Sequence, residues 1–132
     1  MTKRELCLAA VKTMEKSYSP YSNFSVGAAL LTKSGNLYTG CNIENSAFSP
    51  TVCAERVAVF KAVSEGETEF EMIAVAGGKN GKLTPSVSPC GVCRQVLSEF
   101  ADAKLPVLLV KDRDGDYDEH TLGEILPLSF RL

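Results

Sequence analysis

Three segments decide the fold class of this chain: MIAVA at residues 72–76, PCGVCRQVLSEFA at residues 89–101 and PVLLV at residues 106–110. The first and the third are short and fully apolar, which is typical of strands buried on both faces of a sheet. The second has the length of a helix, and the Gly-, Ser- and Pro-rich residues 77–88 before it predict a loop. Strand, helix and strand in succession indicate a layered α/β domain.

The segments on either side add helices and a hairpin to this unit. Ser19-Pro20 ends an N-terminal helix because the residue before proline avoids the helical region, and Gly66 can cap a second helix. We expect one domain over residues 1–132 with a central mixed sheet. The other predicted elements are a helix over 3–18, strands over 24–31 and 37–43 with a turn at 33–36, a helix over 53–64 and a short helix opening at 121–124.

The composition is that of an ordinary globular protein. Of the 132 residues, 45% are hydrophobic and 23% are charged, which excludes the disordered and collagen-like classes. No apolar run approaches the roughly 20 residues that cross a bilayer, and the first segment carries charges where a signal peptide has an apolar block. We therefore expect a cytoplasmic protein with no membrane partner. A net charge of -2 without a basic block argues against nucleic acid as a partner.

Five cysteines are an odd number in a chain without an export signal, so a disulfide framework is not expected. Cys90 and Cys93 form a C-x2-C pair at a predicted helix start, where the helix dipole favours the thiolate form that binds metal. Thioredoxin-like redox pairs have the same spacing, and this pair alone leaves that alternative open. A structural zinc site with four cysteines would need a second C-x2-C pair, which the sequence lacks.

A third cysteine favours a catalytic zinc site. Cys53 begins another predicted helix, and Glu55 follows two residues later. Three protein ligands leave one tetrahedral position open for water, as in catalytic rather than structural zinc sites. A carboxylate beside that water can take its proton and deliver it to a substrate. Glu55 is therefore the candidate catalytic residue, and the candidate zinc ligands are Cys53, Cys90 and Cys93.

Three cysteines with a glutamate that does not bind the metal are typical of zinc-dependent deaminases. Four blocks extend the likeness: NFSVGAAL at 23–30, NIEN at 42–45, TVCAER at 51–56 and SPCGVCRQ at 88–95. Over nearly its whole length the chain resembles the cytidine deaminases. Cysteine rather than histidine at position 53, in so short a chain, is similar to the small homotetrameric branch of that family. The resemblance implies a three-layer α/β/α fold with a central mixed sheet.

The resemblance also implies a reaction, the hydrolysis of cytidine or 2′-deoxycytidine to uridine or 2′-deoxyuridine and ammonia, as in pyrimidine salvage. One zinc ion per chain, held by the three cysteines, activates the water that attacks C4 of the ring. Glu55 moves protons from this water to the neighbouring ring nitrogen and to the leaving amine. Three thiolates around a divalent ion carry a net charge of about -1. Arg56 and Arg94 are expected to offset that charge.

A substrate site follows from the same resemblance. By pattern alone Asn42 and Glu44 would be alternating polar residues that face solvent, but the family match makes them ribose-binding groups. A carboxylate accepts hydrogen bonds from sugar hydroxyls and repels a phosphate, which suits a free nucleoside. Phe130 matches an aromatic residue that packs on the pyrimidine from a neighbouring subunit, so we expect a homotetramer with shared active sites. The expected substrate-binding residues are Phe24, Asn42, Ile43, Glu44, Ala54 and Phe130.

Two other functions compete with this one. A deaminase for a modified cytosine nucleoside, of the blasticidin type, shares the VCAE and PCGxC blocks, whereas the NFSVG and NIEN blocks favour plain cytidine. A zinc-stabilised binding module without catalysis has no use for a carboxylate beside the metal, so Glu55 counts against it.

Overall fold

Four α-helices and five strands follow one another along residues 1–132, all of which the computed structural model describes. In chain order they are α1 (Lys3–Thr13), β1 (Phe24–Thr32), β2 (Leu37–Cys41), α2 (Ala54–Ser64), β3 (Phe70–Lys79), α3 (Gly91–Phe100), β4 (Pro106–Val110), β5 (Tyr117–Thr121) and α4 (Leu122–Ile125). A 3-10 turn over Met14–Lys16 continues α1.

The strands form one mixed sheet in the order β2-β1-β3-β4-β5. β1 pairs antiparallel with β2 and with β3, and β4 pairs antiparallel with β5. β3 and β4 are parallel, with Ile73 opposite Val107, because α3 crosses between them. This parallel pair is the strand-helix-strand unit expected from the sequence, and the α/β class with a mixed sheet is confirmed.

Helices cover both faces of the sheet, so the domain has three layers. Along β1, Ala29 and Leu31 point into a core that the sheet shares with α1. Ala28 and Leu30 point the other way, into a core formed with α2, α3 and α4. This alternation follows from the two-residue period of a strand. The expected α/β/α arrangement is therefore confirmed.

Gly40 of β2 sets how closely α2 approaches the sheet. A methyl group at this position would lie 2.5 Å from the carbonyl oxygen of Ala54 and 2.6 Å from the amide nitrogen of Ala58. Only a residue without a side chain permits this approach, and the fully buried Ala54 and Ala58 complete the contact. The first turn of α2, which carries Glu55, is therefore packed against β2 by small residues.

β3 is longer than its apolar run predicts, because it continues to Lys79 through two glycines. Gly77 and Gly78 pair with β1, and a side chain on Gly78 would collide with the carbonyl oxygen of Lys82. Residues 77–79 therefore belong to the strand, which corrects the first part of the predicted loop. Glycine obscured the strand in the sequence but allows the close backbone contact there.

β5 is an edge strand without an apolar pattern, and for that reason it was not predicted. None of its residues is fully buried, since only β4 pairs with it. The short last helix opens as expected, because Thr121 and Glu124 exchange the reciprocal hydrogen bonds of a capping box. None of the four helices combines the length and the apolar character needed to cross a membrane.

One end of the sheet brings together the segments that carry the predicted site. β1 begins there at Phe24, and the antiparallel strands β2 and β3 end there at Cys41 and Lys79. The N-termini of α2 and α3 meet at the same end, since Cys53 and Cys90 line one cavity together with Phe24.

Candidate active site

Three cysteine sulfur atoms converge at this end of the sheet. The Sγ atoms of Cys53, Cys90 and Cys93 all lie within 4.8 Å of one another, and those of Cys53 and Cys90 are 3.6 Å apart. Zinc–sulfur bonds of about 2.3 Å in a tetrahedron put two ligand sulfurs about 3.8 Å apart. The cluster therefore has the donor atoms and the spacing of three zinc ligands.

Two helix N-termini supply these cysteines. Cys53 is the N-cap of α2 and Cys90 is the N-cap of α3, and neither side chain caps its own helix by a hydrogen bond. Cys93 lies in the first turn of α3 and is fully buried. Partial positive charge at a helix N-terminus stabilises a nearby thiolate, which is the form that binds zinc.

Arg56 adds a full positive charge to the cluster. Its Nη2 donates a hydrogen bond to Cys53 Sγ over 3.4 Å, and this bond raises the pKa of the guanidinium group. Hydrogen bonds from the Cys93 thiol and from Arg56 lower the pKa of Cys53 to about 5. The pKa of Cys93 is raised, because its thiol donates the hydrogen bond to Cys53 and because it is buried. Arg56 Nε is buried without an acceptor. The three thiols become thiolates when they bind a metal ion, and thiolates accept hydrogen bonds. An unpaired buried N–H group beside them is therefore consistent with a zinc ion at this site.

Glu55 is a buried carboxyl group beside the cysteines. It lies in the first turn of α2, and only 3% of its surface is exposed. Burial raises the pKa of Glu55 to about 7, because the charged form loses its hydration. A carboxyl group with a pKa near neutral can both accept and donate a proton, which is the property of a general acid–base catalyst.

A cavity of about 290 Å³ is lined by Glu55 and by two of the cysteines. This volume suits one small ligand. Phe24, Asn42 and Glu44 line the same cavity, so the structure brings three of the expected substrate-binding residues to the candidate catalytic residue. The other lining residues are Ser22, Val26, Thr51, Val52, Val87 and Ser88.

The Asn42 side chain is bonded to the backbone of β1. Its Oδ1 accepts a hydrogen bond from the Val26 amide over 2.8 Å, and its Nδ2 donates to the Phe24 carbonyl oxygen over 2.8 Å. The Ser17 hydroxyl donates a further bond to Oδ1 over 2.5 Å. Asn42 therefore braces the start of β1, a role that its position in the sequence did not predict.

Both carboxylate oxygens of Glu44 accept hydrogen bonds. Oε1 accepts from the backbone amides of Tyr21 over 2.9 Å and Ser22 over 3.1 Å, and Oε2 accepts from the Ser22 hydroxyl. The Ser22 hydroxyl makes the largest contribution to lowering the pKa of Glu44. Glu44 is therefore an oriented anion on the cavity wall.

Three expected substrate-binding residues do not line this cavity. Ile43 is 44% exposed and pairs through its backbone with Val52, and Ala54 is fully buried against β2. Phe130 is 68% exposed, and its carbonyl oxygen accepts a hydrogen bond from Gln95 Nε2 over 3.0 Å. Substrate binding by these residues stays a prediction.

Arg94 makes its hydrogen bonds with oxygen atoms. It donates from Nε to the Pro89 carbonyl over 2.7 Å, from Nη1 to the Ile125 carbonyl over 2.5 Å and from Nη2 to the Ser88 hydroxyl over 2.7 Å. These bonds tie the segment that precedes Cys90 to the end of α4. Compensation of the thiolate charge by Arg94 stays a prediction.

The sequence-based site omitted two serines of the cavity wall, Ser22 and Ser88. Ser22 directly precedes the NFSVGAAL block, in a turn between Pro20 and the first strand, and this position is the signal that could have found it. Ser88 opens the SPCGVCRQ block, but a serine before proline is also common in loops.

Comparison with known proteins agrees with this geometry. Residues 1–109 match the family model described as "Cytidine and deoxycytidylate deaminase zinc-binding region". The chain is 48% identical over 130 residues to a cytidine deaminase of Sporosarcina psychrophila, covering 98% of this chain and 92% of that protein. It is 44% identical to a cytidine deaminase of Halalkalibacterium halodurans, covering 98% of this chain and 95% of that protein.

A solved structure is also close to this fold. The cytidine deaminase from Burkholderia pseudomallei matches with a TM-score of 0.87 and 43% sequence identity, over 98% of this chain and 100% of that chain. A family model that matches most of the chain, together with relatives at this level of identity, establishes the family. The chain belongs to the cytidine and deoxycytidylate deaminases, a family of zinc-binding enzymes.

Proposed function

We propose that this enzyme hydrolyses cytidine and 2′-deoxycytidine to uridine and 2′-deoxyuridine with release of ammonia, in pyrimidine salvage in the cytoplasm. The observation that carries the proposal is the buried Glu55 carboxyl group in a cavity that Cys53 and Cys90 also line. The names of the similar proteins support cytidine as the substrate. One zinc ion per chain, held by Cys53, Cys90 and Cys93, is part of the proposal.

In this proposal Glu55 moves the protons of the reaction. A bound zinc ion supplies Lewis acidity, which makes a water molecule acidic near neutral pH. Glu55 accepts a proton from the water whose oxygen adds to C4 of the pyrimidine, and it gives that proton to N3. It then moves the second water proton to the amine nitrogen, so that the C4–N4 bond breaks and ammonia leaves. One water is consumed, no electrons are exchanged, and Glu55 returns to its starting state.

The sugar is recognised by the cavity wall around Glu44. An ionised carboxylate accepts hydrogen bonds from ribose hydroxyls, and its charge disfavours a phosphate on the same sugar. Asn42 binds the ribose together with Glu44 in this proposal, and it also holds the start of β1, where Phe24 flanks the nucleoside. Ile43 and Ala54 are also part of the proposed substrate site, although neither residue lines the cavity of the single chain.

Arg56 and Arg94 offset the negative charge of the thiolates in this proposal. The hydrogen bond from Arg56 to Cys53 supports a direct effect. The effect of Arg94 would be indirect, because Arg94 donates a hydrogen bond to the carbonyl group of Pro89, the residue before Cys90, and not to a thiolate.

We also propose a homotetramer whose neighbouring chains share active sites. Phe130 is 68% exposed, and the side chains of Leu128 and Leu132 are fully exposed. Three apolar side chains in one exposed tail favour contact with another chain over contact with water. Because Phe130 does not line the cavity of its own chain, the site that it completes would be a neighbour's.

Glu55→Gln tests the proposed catalytic role. The substitution keeps the shape of the side chain but removes its capacity to transfer protons, so turnover should fall by at least about 10²–10⁴-fold. Zinc content and the circular dichroism spectrum should be unchanged. Glu99→Gln, an exposed position on α3, is the matched control and should keep its activity. Retained turnover in Glu55→Gln would contradict the mechanism.

Blasticidin S in the same assay separates the proposal from its nearest alternative. Loss of cytidine absorbance should be fast, and conversion of blasticidin S should be slow or undetectable. A preference for blasticidin S would contradict cytidine as the substrate but would not contradict hydrolytic deamination as the reaction.

A further inference from the structure

The hydroxyl group of Ser22 connects two residues of the proposed ribose site. It donates a hydrogen bond to Glu44 Oε2 and accepts one from the Phe24 amide over 3.0 Å. Glu44 lies beyond the end of β2, whereas Phe24 begins β1, so Ser22 links two separate segments of the cavity wall.

The turn that holds Ser22 is itself fixed. Asn23 adopts φ 56°, in the left-handed region that asparagine tolerates better than most residues. Its amide donates to the Ser19 carbonyl oxygen over 3.0 Å, and its own carbonyl oxygen accepts from the Asn80 amide over 2.8 Å. The backbone on either side of the hydroxyl group therefore has one conformation, which directs the hydroxyl group at Glu44.

The Glu44 carboxylate is held at both oxygens, but in different ways. Oε1 accepts from two backbone amides, of Tyr21 and Ser22, which no side-chain substitution removes. Oε2 accepts only the Ser22 hydroxyl. Removal of that hydroxyl group leaves Glu44 attached at one oxygen and free to turn about it, with Oε2 no longer oriented.

We propose that Ser22 is a positioning residue that orients the Glu44 carboxylate toward the sugar hydroxyls of the substrate and aligns it with Phe24. The proposal rests on the proposed ribose-binding role of Glu44. A hydroxyl group that only stabilised the turn would affect all substrates equally. A hydroxyl group that orients Glu44 affects only those substrates whose sugar carries the hydroxyls that Glu44 binds.

Two substrates separate these roles. Cytidine carries the 2′- and 3′-hydroxyl groups of ribose, and 2′,3′-dideoxycytidine lacks both of them. In Ser22→Ala, kcat/KM for cytidine should fall by about tenfold, the value of a hydrogen bond to a charged group. For 2′,3′-dideoxycytidine kcat/KM should not change. Ser22→Thr keeps the hydroxyl group and should restore cytidine turnover. Ser64→Ala, the same change at an exposed position on α2, should affect neither substrate.

Glu44→Ala distinguishes failure of this proposal from failure of the proposed ribose site. It should lower kcat/KM for cytidine but not for 2′,3′-dideoxycytidine, and Ser22→Ala should cause no further loss in that background. Suppose that Glu44→Ala shows this selectivity, but that Ser22→Ala lowers kcat/KM equally for both substrates or for neither. The ribose-binding role of Glu44 is then supported, and the positioning role of Ser22 is wrong. If Glu44→Ala itself does not discriminate between the substrates, both the ribose role of Glu44 and the positioning role of Ser22 are wrong.

Discussion

Arg56 donates a hydrogen bond from Nη2 to Cys53 Sγ over 3.4 Å, three residues along the same helix. The first turn of α2 thus carries a zinc-ligand candidate, the buried carboxyl group of Glu55 and a compensating positive charge. Three thiolates on a divalent ion leave a net charge of about -1, which makes a bound water less acidic than neutral ligands would. In the proposed zinc site, the positive charge of Arg56 would offset part of this negative charge.

Arg56→Gln should weaken zinc binding by about 10–100-fold, the usual cost of losing a partner of a metal ligand. The fold should persist, because α2 stays packed on the sheet. Competition with a zinc chelator measures the affinity, and circular dichroism checks the fold. Lys12→Gln removes a positive charge at an exposed position of α1 and should leave zinc affinity unchanged. Equal affinity in Arg56→Gln and the unmodified protein would remove Arg56 from the metal site.

Gly40→Ala should disturb both stability and activity, since the added methyl group would lie 2.5 Å from the Ala54 carbonyl oxygen. Overpacking of this kind costs about 1–3 kcal/mol in the free energy of unfolding. The strain is relieved only if α2 moves outward, and that shift displaces Glu55. Urea denaturation and steady-state turnover measure the two effects.

Gly91→Ala is the control for stability, because a methyl group there meets no atom within 4 Å and the backbone does not have a positive φ. The free energy of unfolding should stay the same or rise slightly. If Gly40→Ala is as stable as Gly91→Ala, the close packing of α2 on β2 does not constrain the site.

Glu67 is the acceptor for four side chains of the β1–β2 hairpin, namely Thr32, Ser34, Asn36 and Tyr38. These hydrogen bonds, Ser34 first, lower the pKa of Glu67 from an ordinary 4.5 to about 2. A carboxylate with a lowered pKa in the folded state adds stability above its unfolded pKa, and this stability is lost as the pH falls from about 4.5 through about 2. Glu67→Gln should therefore be less stable at neutral pH and should lose less stability on acidification.

Urea midpoints at neutral pH and at about pH 3 measure how much stability each protein loses on acidification. Glu65→Gln, two residues away and exposed, is the control, because it removes a carboxylate that accepts none of the four hydrogen bonds. It should be as stable at neutral pH as the unmodified protein. Parallel pH profiles for Glu67→Gln and the unmodified chain would mean that the four hydrogen bonds are not formed in solution.

Only part of the cysteine cluster was predictable from local geometry, because Cys90 and Cys93 share the first turn of one helix. Cys53 lies 37 residues earlier on another helix, and it was joined to the pair by the pattern typical of zinc-dependent deaminases. Proline and serine before Cys53 and Cys90, and the apolar periodicity after them, mark the starts of two helices in the sequence. Each cysteine is the N-cap of its helix, so its position follows from where that helix begins. The four hydrogen bonds to Glu67 were not predictable. Its donors lie 29 to 35 residues away along the chain, and serine, threonine and asparagine in a hairpin are explained equally well by the turn alone.

Asn42 illustrates the same limit within the site. Its sequence position marks a polar residue at a strand end, and the family resemblance assigns it to the sugar. The structure shows that its amide bonds two backbone groups of β1, 16 and 18 residues earlier in the chain. Register between strands decides which backbone groups an amide meets, and neither composition nor periodicity specifies register to one residue.

Phe130 gives the sharpest test of assembly, because it is exposed in its own chain and does not line that chain's cavity. If a neighbour's Phe130 completes each site, Glu55→Gln and Phe130→Ala chains should be defective alone and active together. In a mixed tetramer, a site is intact when its own chain carries Glu55 and the adjacent chain carries Phe130. Random assembly of equal amounts should restore about a quarter of the sites.

Differently tagged chains, co-expressed and purified through both tags, give the mixed tetramers for this measurement. Glu55→Gln mixed with the double variant Glu55→Gln/Phe130→Ala is the control, and it should stay inactive because no chain supplies Glu55. Partial recovery in the first mixture but not in the second assigns Phe130 to the neighbouring site. If verified mixed tetramers have no more activity than the two variants measured separately, each site uses no residue from its neighbour's tail, and the exposed Leu128, Phe130 and Leu132 serve assembly alone.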